Sequence, residues 1–174
     1  LPSEWPSISL EDIKDKNYQE IACAVINPFI KDDISKDDLS LIINKTYQNF
    51  DHESIAPLIN IEKNKYILEL FYGPTFAFKD YALQFLGNLF SHVLQNTNKK
   101  ITVLGATSGD TGSAAINAFK GKDDIQVFIL HPYQKVSEVQ RRQMTTVAEK
   151  NIHNIALKGT FDDCQKIVKQ LFLD

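Results

Sequence analysis

Two stretches of this chain combine residue types that could do chemistry. The first is "FYGPTFAFKDYALQFLG", residues 71–87, which sets Lys79 among six aromatic rings just where a helix begins. Apolar rings and a helix N-terminus both disfavour positive charge. An amine that is neutral part of the time can attack a carbonyl and form a Schiff base. The plainer reading is a lysine that snorkels, keeping its head in water and pairing with Asp80. The second stretch is "GATSGDTGSAA", where a strand runs into glycines and small hydroxyl residues before a helix that starts at about Gly112 or Ser113. The carboxyl end of a strand facing a helix N-terminus is where open α/β sheets bind ligands. Glycines let a ligand approach the backbone, and Thr107, Ser108 and Thr111 add hydroxyls beside free amides, a setting suited to a carboxylate or phosphate. No lysine follows the glycines as in a Walker loop, and the GxGxxG spacing is absent. A tight βα turn with a capping hydroxyl accounts for the same residues. Taken together, the two stretches suggest a lysine imine facing a carboxylate-binding loop.

The elements around them can be read from periodicity. Up to about Phe50 the chain reads as helical, with Ser9 and Asp12 as an N-terminal cap and Leu39, Ile42, Ile43, Tyr47 and Phe50 on one helical face. Residues 57–61 and 66–71 read as two strands joined by a charged turn. Ala82, Phe85, Leu86, Leu89, Phe90, Val93 and Leu94 keep helical spacing until "NTNKK". Beyond Lys100 the β-branched runs "ITVLG", "IQVFIL" and "NIALKG" alternate with helical stretches at 113–120, 137–150 and 162–173. Gly121 sits where a helix-ending glycine belongs, and Ser137 with Gln140 matches a capping box. The last helix is expected to bury Cys164, Ile167, Val168, Leu171 and Phe172. This alternation implies right-handed crossovers and an α/β fold with a parallel sheet flanked by helices. The chain divides into residues 1–97, a helical region with the hairpin and the lysine helix, and residues 98–174, a βαβα domain carrying the TSGDTG loop.

The totals narrow the classes. The 174 residues carry a net charge of -3 with scattered basic residues, so neither nucleic acid nor an anionic membrane is an evident partner. No apolar run is long enough to span a bilayer. Cys23 and Cys164 form no CxxC and read as small hydrophobes, which suits a reducing compartment. His52, His92, His131 and His153 stand singly, so no metal site is expected. The start "LPSEWPSISLEDI" and the end "KQLFLD" both look cut, as in a piece of a longer protein.

"GPTFAFKDYALQFLG" followed by "GATSGDTGSAA" resembles the threonine synthases of bacteria and fungi, which belong to the tryptophan-synthase-β-like, fold-type II pyridoxal-phosphate family. The resemblance runs on through "HPYQKVSEVQRRQMTT" and "NIHNIALKGTFDDCQKIVKQLF" and covers nearly the whole chain. It implies that Lys79 joins pyridoxal 5'-phosphate through its amine and later shuttles protons. It also implies that O-phospho-L-homoserine and water become L-threonine and phosphate. By the same resemblance, Thr107, Ser108, Gly109, Asp110, Thr111 and Gly112 cradle the substrate carboxylate close to the cofactor's phenolic oxygen. Relatives such as cysteine synthases carry asparagine at the Asp110 position, which can donate to that oxygen; an ionised aspartate cannot. Asp110 is therefore either protonated or turned away to orient substrate or loop amides. Lys135 and Ser137 could meet the substrate phosphate, or could be a loop cation and a helix cap.

The family's S-G-N-F-G cradle for the cofactor phosphate is not among these residues. The resemblance places it in a second large domain, so the chain alone is expected to be inactive. The implied setting is cytoplasmic, in a protein often monomeric in this branch. Two alternatives stay open: a related phospho-lyase acting on O-phosphothreonine, and a non-catalytic ligand-binding α/β domain.

Overall fold

The computed structural model describes residues 4–173. They form two compact units that meet in sequence between Tyr72 and Gly73. In the first, α1 (Leu10–Ile13), α2 (Tyr18–Ile30) and α3 (Lys36–Tyr47) precede an antiparallel hairpin of β1 (Leu58–Glu62) and β2 (Lys65–Leu68). Capping boxes open α1, at Ser9 with Asp12, and α2, at Asn17 with Glu20, so first-turn amides that lack intrahelical partners are satisfied locally. The helical stripe on α3 buries Leu39, Ile42, Ile43 and Tyr47, and Phe50 is buried just beyond it.

The second unit carries the strand–helix alternation. Its order is α4 (Asp80–Thr97), β3 (Ile101–Ala106), α5 (Asp110–Phe119), β4 (Ile125–Pro132), α6 (Glu138–Thr145), β5 (Ile152–Leu157) and α7 (Phe161–Leu171). The sheet is parallel, ordered β3-β4-β5, with Ile101 beside Ile125 and Val127 beside Ile152. Alternate residues of β4, namely Ile125, Val127 and Ile129, point into a core with Leu94, Ile116, Phe119 and Met144. Helix α4 belongs to this unit and packs on α5. At Gly87 the approach is so close that a Cβ would stand 2.5 Å from the carbonyl oxygen of Ala118.

Several boundaries differ from expectation: α5 starts at Asp110, not Gly112 or Ser113, and β2 ends at Leu68, not Phe71. Helix α6 ends at Thr145, not at Lys150. The hydroxyls of Thr145 and Thr146 bond back to the carbonyls of Arg141 and Arg142, at 2.8 and 2.7 Å, and β-branched residues followed by Val147 are poor helix formers. On α7, Cys164 is fully buried, but Leu171 and Phe172 are 57% and 73% exposed. Helical period decides which residues share a face; cover depends on neighbours, and α7 rests on β3 and β4.

Candidate active site

The loop after β3 is organised from within. The Thr107 amide still donates to Leu130 O at 2.9 Å, extending the ladder by one residue. Its buried hydroxyl oxygen then accepts from the amides of Gly109 (3.0 Å) and Gly112 (2.8 Å) and folds the chain into the start of α5. Gly109 needs to be glycine, since its φ of 147° lies where side chains are rarely tolerated. A Cβ there would also run into the Gln140 side chain. Asp110 Oδ1 takes the Thr111 amide at 2.9 Å. Three amides expected to be free for a ligand are thus spent inside the loop, while the Ser108 and Thr111 side chains stand exposed.

Lys79 is placed by the turn before α4. Asp80 is fully buried, and its two carboxylate oxygens take the amide and the hydroxyl of Thr75, each at 2.7 Å. Gly73 lies against Asp80, where a Cβ would be 2.5 Å from Asp80 Cβ, and the Phe76 amide donates to Gly73 O at 3.0 Å. Phe76 itself has a φ of 60°, a left-handed conformation uncommon for a bulky residue and sustained only where neighbouring contacts over-determine it.

The product of this turn is an ion pair. Lys79 Nζ donates to Asp110 Oδ2 at 2.7 Å, with the two side chains 28% and 35% exposed. The pairing of Lys79 with Asp80 anticipated by the plainer reading does not form, because Thr75 occupies that carboxylate. Asp110 takes the lysine on Oδ2 and a loop amide, that of Thr111, on Oδ1. The Lys79 hydrogen bond, helped by the Thr111 amide, holds its carboxyl below the usual aspartate range. The aromatic enclosure is thinner than the sequence suggests. The Phe78 ring lies 4.2 Å from Nζ, but Phe76 and Phe78 are 66% and 59% exposed. Both rings stand mostly in solvent, so proximity along the chain does not become an enclosure.

Ser137 caps α6, accepting the Gln140 amide at 3.4 Å and donating to Gln140 Oε1 at 2.9 Å. Lys135 is exposed on the connection before it, and Val136 packs beside Gly109. Sequence reasoning passed over Asp80 as an anchor, took Gln140 only as the capping partner of Ser137, and did not single out Gln143 or Met144. Their i, i+3, i+4 spacing was a usable signal, but glutamines do not read as an inward face. Among the described residues, no group of His, Cys, Asp and Glu is arranged to hold a metal ion.

Residues 1–47 match the family described as "Threonine synthase N terminus". Across its whole length the chain is 49% identical to the threonine synthase of Pseudomonas aeruginosa and 50% identical to that of Schizosaccharomyces pombe. It spans 38% and 35% of those two proteins. A crystal structure titled as pyridoxal-phosphate-bound threonine synthase from Brucella melitensis superimposes with a TM-score of 0.92 at 44% identity, covering all of this chain and 38% of that one.

Proposed function

The chain belongs to the threonine synthase family, and on that premise we propose that the whole protein converts O-phospho-L-homoserine and water to L-threonine and inorganic phosphate with pyridoxal 5'-phosphate. The observation that carries this reading is the Lys79–Asp110 contact, which brings the one candidate amine to the carboxyl end of β3. The residues present fit the aldehyde end of that cofactor, because Lys79 is partly exposed, follows a turn held by Asp80 and Thr75, and is directed at Asp110. Bound there, pyridoxal phosphate supplies a carbonyl for the amine and a ring that draws off the electrons released at the substrate's Cα.

Lys79 Nζ would hold the cofactor through its amine and would take and return protons at the substrate's Cα and beyond. The loop from Thr107 to Gly112 receives the substrate carboxylate. Ser108 and Thr111 offer their exposed hydroxyls, the N-terminus of α5 favours the negative charge, and Thr107, Gly109 and Gly112 hold the shape. Asp110 holds Lys79 toward the loop. Lys135 offers a cation for the substrate phosphate, while Ser137 fixes the start of α6. No helix among the described residues is long and apolar enough to cross a membrane. A cytoplasmic monomer is the setting that goes with this reading.

In the full-length protein, Lys79→Ala should abolish the covalent cofactor band and lower threonine formation by roughly a hundred- to ten-thousandfold. An unchanged spectrum and rate would remove Lys79 from the reaction. Product analysis separates the chemistry further, since a phospho-lyase would release a keto acid and ammonia from O-phosphothreonine.

A further inference from the structure

The two halves of the site lie on α4 and on the β3–α5 loop, and the inner side of α6 touches both. Toward the loop, Gln140 O accepts from Ser113 Oγ at 3.4 Å, and the Gln140 side chain fills the space beside Gly109. Met144, fully buried, has its sulfur 2.8 Å from where a Cβ on Gly112 would stand. Toward the lysine, Gln143 Nε2 donates to Thr75 O at 3.1 Å, a contact spanning 68 residues of sequence. Residues 140, 143 and 144 follow i, i+3, i+4 spacing, so one helical face makes all of these contacts.

The contacts close a circuit. From Gln143 it passes to Thr75, whose amide and hydroxyl are held by Asp80, the residue after Lys79. From Lys79 Nζ it crosses to Asp110, and through the loop glycines it returns to α6. An apolar side chain at 143 would fill the volume without holding the Thr75 carbonyl, which lies in an irregular turn.

We propose that Gln143 is a positioning residue that makes α6 a strut between the lysine turn and the Thr107–Gly112 loop, fixing where Lys79 Nζ stands. This rests on the reading of Lys79 as the cofactor lysine. The Gln143 side chain bonds the Thr75 carbonyl, and its effect on the lysine runs through Thr75.

The test uses the full-length protein and two variants. Gln143→Met removes the donor at similar volume, and Gln143→Lys keeps one. The cofactor is added to cofactor-free protein, and the rate of covalent adduct formation is followed by visible absorbance, with Lys79 identified by borohydride reduction and peptide mass. Gln143→Met should slow this rate about tenfold and lower kcat roughly ten- to a hundredfold, with KM within about twofold, because positional errors near 1 Å have costs of that size. The pH midpoint of the band should move, the melting midpoint should stay within a few degrees, and Gln143→Lys should restore the rate to within about threefold. In cofactor-free protein, Gln143→Met should speed amide hydrogen exchange at both 73–80 and 109–113.

An adduct rate and pH midpoint unchanged in Gln143→Met would overturn the proposal. So would loss of adduct and of melting midpoint together in both variants, which would make the bond purely stabilising. If wild-type protein forms no adduct at Lys79, it is the cofactor reading that fails. The exchange data then decide the strut: faster exchange in both segments supports it, and any other pattern overturns it.

Discussion

The ion pair between Lys79 and Asp110 joins two side chains 31 residues apart, and it changes what each was expected to be. The lysine meets a carboxylate before it meets any ligand, so it is held in one direction instead of sampling solvent. The aspartate gains its partner in the same contact. Because its folded carboxyl titrates below the ordinary value of 3.8, the pair contributes stability above that pH and loses it as pH falls further. A carboxyl carbon titration by NMR on cofactor-free protein should therefore give Asp110 a midpoint below 3.8. The same titration in Lys79→Ala should move it back toward 3.8, since the largest cause of the shift is gone. A midpoint that does not respond to the lysine would mean the two groups are not paired in solution.

The elements that carry these residues are fixed by close packing between helices and sheet. Helix α4 reaches α5 through Gly87, and Gln84 Nε2 bonds Asn117 Oδ1 across the same junction at 3.0 Å. A methyl group at position 87 would meet a backbone carbonyl, which cannot swing aside. Gly87→Ala should cost about 1–3 kcal/mol in overpacking, against roughly 1 kcal/mol returned by the better helix former. The net loss, up to about 2 kcal/mol, should appear as a lower urea midpoint without a change in slope. The far end of α5 is tied just as specifically. Buried Asn151 donates to the carbonyls of Phe119, Lys122 and Ile125 and accepts from the Gly121 amide, so one side chain joins helix end, turn and strand. Gly121, with a φ of 70°, is the helix-ending glycine that its position suggested.

At the scale of the whole molecule, the chain carries Lys79 and the Thr107–Gly112 loop but no S-G-N-F-G stretch. Residues 1–174 alone, mixed with pyridoxal phosphate, should show no stable covalent band at cofactor levels that saturate the full-length protein. A band of equal strength would place the phosphate anchor within this chain. The residue types and their order already determine much of this protein. Strand–helix alternation sets a parallel α/β sheet, apolar period sets the core face of α3, and small residues after β3 set a loop at its carboxyl end. These are local properties, each decided within a few turns of chain. Tertiary structure alone decided that Lys79 faces Asp110 and not Asp80, that Phe76 and Phe78 stand outside, that Leu171 and Phe172 are uncovered, and that α6 spans both halves of the site. Periodicity fixes which side of an element a residue occupies, whereas its partner is whichever distant group packing brings there. Thr75 and Gln143 meet only because α4 and α6 fold beside the same loop.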